Sequence, residues 1–117
     1  MTLRSGYERT VDMQLRRSGV SYENEDIKIP YTLFCNYNPD FHLIKSNIFI
    51  ETKGRLLPED RRKHLAIKEQ HPNLDLRFVF MYANRKMPGA KMTHETWAIK
   101  NGFKYAVGEI PREWLNE

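Results

Sequence analysis

At 117 residues the chain is long enough for one domain with a single core, and 40% hydrophobic with 29% charged residues fits a globular protein with a well-solvated surface. No apolar run approaches the roughly 20 residues that cross a bilayer, and residues 1–9 lack the apolar segment of an export signal, so a cytoplasmic protein without a membrane partner is expected. The single cysteine, Cys35, excludes an internal disulfide framework and has no partner signature of a nucleophile; it is expected as a small, partly buried apolar residue.

In chain order, residues 4–18 read as a helix. Leu3, Tyr7, Val11 and Leu15 recur at i+4 spacing as an apolar stripe for the core, and Gly19 supplies the stop. Glu8 stands at the edge of that stripe, with Asp12 one turn later as its rival for any role in a site. Residues 21–31 read as a strand, because Tyr22, Ile27, Ile29 and Tyr31 partly alternate with charged positions. Pro30 and Pro39 bracket an extended connection, and the short apolar segment 41–44 follows Asp40. Residues 47–54 form a strand ended by Gly54.

Residues 57–71 are the second helix, with Pro58 in the first turn, Glu59 and Asp60 at the favourable N-terminal end and Pro72 as the stop. Residues 75–83, centred on the apolar run 76–81, make the strongest internal strand. A basic loop over 85–91 leads to a short helix over 93–101, capped by Thr93 and closed by Gly102. A last strand over 104–107 and a terminal turn over 111–115 complete an order of α-β-β-β-α-β-α-β. This is an α/β chain, and a mixed sheet flanked by helices is the expected architecture.

The chemistry concentrates in Pro39-Asp40 and Glu51-Thr52-Lys53. Strand side chains alternate with period two, so Glu51 and Lys53 project from one face. Asp40 opens the neighbouring segment, which brings two carboxylates and one ammonium toward the ends of adjacent strands. Hard oxygen ligands for a divalent cation, with a cationic side chain to hold an attacking water, are what metal-assisted phosphodiester hydrolysis requires. The bland alternative is a solvated Glu51–Lys53 pair with Asp40 as a turn residue. A net charge of +4 does not by itself indicate nucleic-acid binding. With Glu8, Asp40 and Glu51 of the 15 acids withdrawn into a site, the remaining acids are outnumbered by 19 Lys and Arg residues, a basic surface that suits a polyanion and that ordinary surface lysines and arginines explain equally well.

The fragments Leu3-Arg4-Ser5-Gly6-Tyr7-Glu8, Ile29-Pro30-Tyr31, Pro39-Asp40-Phe41 and Phe49-Ile50-Glu51-Thr52-Lys53-Gly54 resemble the phage endonuclease I family of Holliday-junction resolvases. So do the stretches 60–72, 74–80 and 110–114, in the family's order along nearly the whole chain. The resemblance implies a restriction-endonuclease-like, PD-(D/E)xK nuclease fold. It also implies a homodimer that exchanges its N-terminal segments, with residues 1–31 exchanged, 32–38 as the bridge and 39–117 as the core. Asp40 and Glu51 match the family's metal-ligating carboxylates, the Thr52 carbonyl the main-chain ligand, and Lys53 the lysine that orients the attacking water. Glu8 matches the helix carboxylate that serves the partner's site. The implied cofactor is Mg²⁺, two ions per active site, with Mn²⁺ able to substitute. The implied substrate is branched DNA, a four-way junction, in the host cytoplasm if the chain is phage-encoded.

Two departures from the family pattern stand out: a shorter connection over 31–38, and a chain that stops at Glu117 without a basic tail, which implies weaker non-specific affinity. Arg4, Arg61, Arg62, Lys63, His64, Arg85, Lys86 and Lys91 are the candidate DNA contacts, against the reading that they form solvated charged faces. His42, His64, His71 and His94 have no compact metal-ligand spacing, and His64 is the histidine read as a phosphate contact. Trp97 and Trp114 are expected in packing rather than as stacking platforms. Two other readings stay open: a nicking or repair nuclease of the same fold with one site per monomer, and a non-catalytic nucleic-acid-binding module.

Overall fold

The computed structural model describes residues 6–117, so Arg4 lies outside the described residues. The chain divides into two compact units between Asn36 and Tyr37, inside the stretch read as a bridge.

In the first unit, helix α1 (Gly6–Ser18) ends at Gly19, whose φ of +76° is the left-handed stop expected of a helix-terminating glycine. The expected apolar stripe is corrected: Tyr7 is 80% exposed and Val11 is exposed, while the buried residue of α1 is Asp12. The unit supplies one helix and no strand among the described residues, so no second layer of its own covers the stripe. Asp12 accepts hydrogen bonds from the Tyr22 hydroxyl and from Arg16 Nε (2.8 Å). Those two bonds, Tyr22 first, hold its carboxyl below the usual carboxylate range.

The strand expected over 21–31 does not form either; these residues are irregular. A strand exists only through its ladder, and none of the described strands pairs with this stretch. Cys35 is exposed rather than partly buried.

The second unit, Tyr37–Glu117, is built on a four-stranded sheet of order β1 (Phe41–Leu43), β2 (Ile48–Lys53), β3 (Leu76–Phe80) and β4 (Tyr105–Val107). The β1 and β2 strands are antiparallel, with Phe41 opposite Ile50, so a short turn suffices between them. Strands β2, β3 and β4 are parallel, and the connections between them are the helices α2 (Pro58–Gln70) and α3 (His94–Lys100). All five residues of β3 are buried, as a central parallel strand covered on both faces must be.

On one face, Leu76, Phe78 and Phe80 pack with Leu56, Met87, Trp97, Ala98 and Phe103. On the other, Ile48, Ile50 and Val79 pack with Leu43, Ile110 and Trp114. Both tryptophans therefore serve packing. Thr93 caps α3 by accepting from the Thr96 N–H at 3.2 Å. The terminal turn closes into a one-turn helix, α4 (Arg112–Leu115). Arg77 is buried on the second face, where it is held by Asp75 (2.8 and 2.9 Å) and by Glu117.

His64 of α2 is completely buried, its ring edge-on to Phe78 (4.9 Å between centroids) and to Tyr37 (5.3 Å). Among the described residues neither ring nitrogen has a hydrogen-bond partner. Burial first, then the ammonium groups of Lys53 and Lys63, pushes its pKa down to about 4, so the ring is neutral at neutral pH.

Two outcomes are expected from this packing. Phe78 stacks on Phe80 and lies edge-on to His64, Trp97 and Phe103, so Phe78→Ala should cost about 3–5 kcal/mol in denaturant unfolding. For His64 the unfolded chain binds a proton near pH 6.5 that the folded chain refuses until about pH 4. Its contribution to stability is therefore complete above pH 6.5 and lost as pH falls through that window, by on the order of 3 kcal/mol. Stability measured against pH in His64→Phe should lack this slope.

Candidate active site

Glu51 and Lys53 extend from the same face of β2, as the alternation requires, with Glu51 paired to Phe78 and Lys53 to Phe80 in the parallel register. That face is the one turned toward the aromatic core, so Glu51 is only 5% exposed. The reading of Glu51 and Lys53 as a solvated pair is thereby excluded. A buried carboxylate has to be partnered. Glu51 Oε1 accepts from the Tyr37 hydroxyl at 2.7 Å, and Lys53 Nζ stands 3.5 Å from Oε2. Lys53 Nζ also lies 3.7 Å from Oδ1 of Asp60.

Asp60 is on the first turn of α2, where its Oδ2 accepts the Leu57 N–H at 3.1 Å and satisfies one of the orphan donors at the helix start. The lysine is thus held between a strand carboxylate and a helix carboxylate.

Asp40 immediately precedes β1, and the antiparallel pairing brings the start of β1 beside the end of β2. Its Oδ2 accepts both the Thr52 N–H and the Thr52 hydroxyl, each at 2.8 Å. Chiefly the Thr52 N–H, with the hydroxyl and the Lys53 charge adding to it, keeps the Asp40 carboxyl below the usual range despite some desolvation. It is ionised at neutral pH. Both Thr52 bonds fall on Oδ2, so neither is spent on Oδ1. A groove of about 270 Å³ adjoins this end of the sheet, lined by Thr52, Lys53, Gly54, Val79, Met81 and Gly108.

The expected residues of the second unit, Asp40, Glu51, Thr52 and Lys53, therefore meet at one end of β1 and β2. Glu8 belongs to the first unit, where it sits in the first turn of α1. Its rival Asp12 is bound by Tyr22 and Arg16. The donor set around Asp40 and Glu51 is oxygen only, the chemistry that suits a hard divalent cation. Among the described residues no three His, Cys, Asp or Glu side chains gather as a cation cage.

The candidate DNA contacts separate by environment. Arg62, Lys63, Arg85, Lys86 and Lys91 are exposed. The Lys63 ammonium lies over the Tyr37 ring at 5.2 Å, and the Arg85 guanidinium over Tyr82 at 3.9 Å. Arg61 instead points inward and donates from Nη1 to the carbonyls of Leu56 (2.7 Å) and Pro88 (3.0 Å), tying α2 to the loop before α3. The phosphate contact expected of His64 is corrected by its complete burial.

Sequence reasoning missed Tyr37 and Asp60. Tyr37 lay in a stretch read as connection, and Asp60 was fully accounted for as a favourable charge at a helix start. The available signal for Asp60 was its place on the helix that directly follows Glu-x-Lys.

The chain is similar to known proteins along its whole length. The family model described as phage endonuclease I matches residues 1–117. Endonuclease I of Escherichia phage T7 is 42% identical over 118 residues, covering 97% of this chain and 78% of the relative. Endodeoxyribonuclease 1 of Enterobacteria phage T3 is likewise 42% identical, over 97% of this chain and 77% of its own length. With its acids and lysine at one end of a mixed sheet, and matched from the first residue to the last, this chain belongs to the phage endonuclease I family.

Proposed function

We propose that the protein is a Mg²⁺-dependent, structure-selective DNA endonuclease, a Holliday-junction resolvase that hydrolyses phosphodiester bonds of branched DNA by paired nicks. The observation that carries the reading is the convergence of Asp40, anchored on Thr52, with Glu51 and Lys53 at the ends of β1 and β2. Membership of an endonuclease family, whose relatives are named endonuclease and endodeoxyribonuclease, supports the reaction class. The mixed sheet flanked by helices, with its acids at adjoining strand ends, supports a restriction-endonuclease-like fold.

Asp40, Glu51 and the Thr52 carbonyl would hold the metal, Mg²⁺ or in its place Mn²⁺, with Glu8 contributed by the second copy to a two-ion site. When bound, the ions supply charge neutralisation at the attacking and leaving oxygens of an in-line displacement. The chain's own groups do the positioning. Lys53, steered by Glu51 and Asp60, points its ammonium at the water that attacks phosphorus. The new phosphorus–oxygen bond forms as the bond to the leaving sugar oxygen breaks. Exposed Arg62, Lys63, Arg85, Lys86 and Lys91 supply backbone contacts that depend on shape and charge rather than on base edges.

A homodimer with exchanged N-terminal segments is part of the proposal. Its support is the run of exposed apolar residues Ile27, Ile29, Tyr31, Leu33 and Phe34, in a stretch without a ladder of its own. A symmetric dimer would present two sites to a junction of near-symmetric arms.

The test is cleavage of a labelled four-way junction beside its matched linear duplex, with Mg²⁺ and with EDTA. Cutting of the junction should require Mg²⁺ and exceed that of the duplex, and Lys53→Met should lower the rate by about 10²–10⁴. Equal cutting of both DNAs would remove branch selectivity, and tight junction binding without cutting would favour the binding-module reading. In sedimentation equilibrium the protein should run as a dimer; a catalytically active monomer would rule out the exchange.

A further inference from the structure

Tyr37 has no assigned part in the chemistry, yet it makes the shortest contact to the most buried acid of the site. Its hydroxyl donates to Oε1 of Glu51 at 2.7 Å, while Oε2 is the oxygen nearer Lys53. The ring is fixed by two further contacts. His64 lies edge-on beneath it at 5.3 Å and 88°, and the Lys63 ammonium sits over it at 5.2 Å. His64 is itself immobilised against Phe78 in the core, so the hydroxyl is referenced to the centre of the sheet.

We propose that Tyr37 is a positioning residue that sets cation specificity: by occupying Oε1 it leaves Glu51 one oxygen, Oε2, to offer to a divalent ion. This inference rests on the metal-dependent reading above. A hydrogen bond on one carboxylate oxygen draws charge from it and biases the group toward monodentate binding through the other. That suits the strict six-coordinate shell of Mg²⁺ and Mn²⁺, whereas the larger, more flexible Ca²⁺ shell gains from bidentate carboxylates. Outer-shell partners of this kind commonly change metal affinity by about 10–100-fold. The hydroxyl would thus bias the site toward the smaller ions and against Ca²⁺, without touching either.

The experiment is calorimetric titration of the DNA-free protein with Mn²⁺ and separately with Ca²⁺, for wild type, Tyr37→Phe, Glu51→Gln and Phe103→Leu. Tyr37→Phe keeps the ring and its contacts with His64 and Lys63, so it should still fold cooperatively, at a melting temperature lowered by the donor that Glu51 loses. Its ratio of Mn²⁺ to Ca²⁺ affinity should fall about tenfold. Phe103→Leu loosens the aromatic core at a ring packed on Phe78 and Trp97 and should keep the wild-type ratio. An unchanged ratio in Tyr37→Phe, with Mn²⁺ binding still lost in Glu51→Gln, would overturn the role of Tyr37 and leave the metal site standing. An equal fall of the ratio in Phe103→Leu would also overturn it, by assigning the effect to packing. Wild-type Mn²⁺ binding by Glu51→Gln would overturn the metal reading itself, and this inference with it.

Discussion

A carboxylate placed against an aromatic core must be partnered, and the partnering of Glu51 organises the end of the sheet at which the candidate site lies. The parallel register pairs Glu51 with Phe78, the most ring-crowded residue of the core, and leaves it almost without solvent. Its charge is tolerable there only because Tyr37 donates to one oxygen and Lys53 stands near the other. Each of these partners is supported in turn: Tyr37 by the buried ring of His64, and Lys53 by Asp60 at the start of α2. Removing any one of them leaves the next with an unbalanced group in a poorly solvated place.

Asp40 follows a different logic. It is exposed, and what holds it is the amide and hydroxyl of Thr52 rather than desolvation. The two acids thus arrive by separate routes, one buried in the aromatic face and one tied to the backbone of the next strand. Asp40 keeps Oδ1 outside its bonds to Thr52, and Oε2 of Glu51 carries only the longer Lys53 ion pair. Under the proposed metal-dependent reading, a pair fixed in this way would accept a cation without rearranging the sheet, the preorganisation such a hydrolase needs. The antiparallel β1–β2 pairing makes this possible, because it sets the beginning of one strand beside the end of the other.

Most of the second unit was legible in the sequence. The stretch 76–81, apolar but for Arg77, is the best internal strand candidate and forms β3 over Leu76–Phe80, Pro58 and Pro72 bound α2, and Thr93 caps α3 as its type and place suggest. The Glu-x-Lys spacing on a strand determined that Glu51 and Lys53 share a face. What could not be read was anything that depends on a partner far away in the sequence. Residues 21–31 alternate well enough for a strand, but alternation does not supply a neighbouring ladder. The i+4 stripe of α1 is real in sequence, yet Tyr7 and Val11 are exposed because helical periodicity does not say what covers the face. His64 looked like a surface cation, and only the tertiary packing of Tyr37 and Phe78 around it reveals a buried neutral ring. Tyr37 itself carried no signal, since a tyrosine in a connecting stretch becomes informative only when the acid it touches is known.

The most direct measurement is a crystal of the protein soaked in Mn²⁺ and recorded for anomalous scattering. A metal-dependent site built on Asp40 and Glu51 predicts an anomalous peak at coordination distance, about 2.1 Å, from a carboxylate oxygen of each and from the Thr52 carbonyl, with the Tyr37–Glu51 bond intact. Anomalous density elsewhere, or none at Asp40 and Glu51 with Lys53 undisturbed between its two carboxylates, would contradict it.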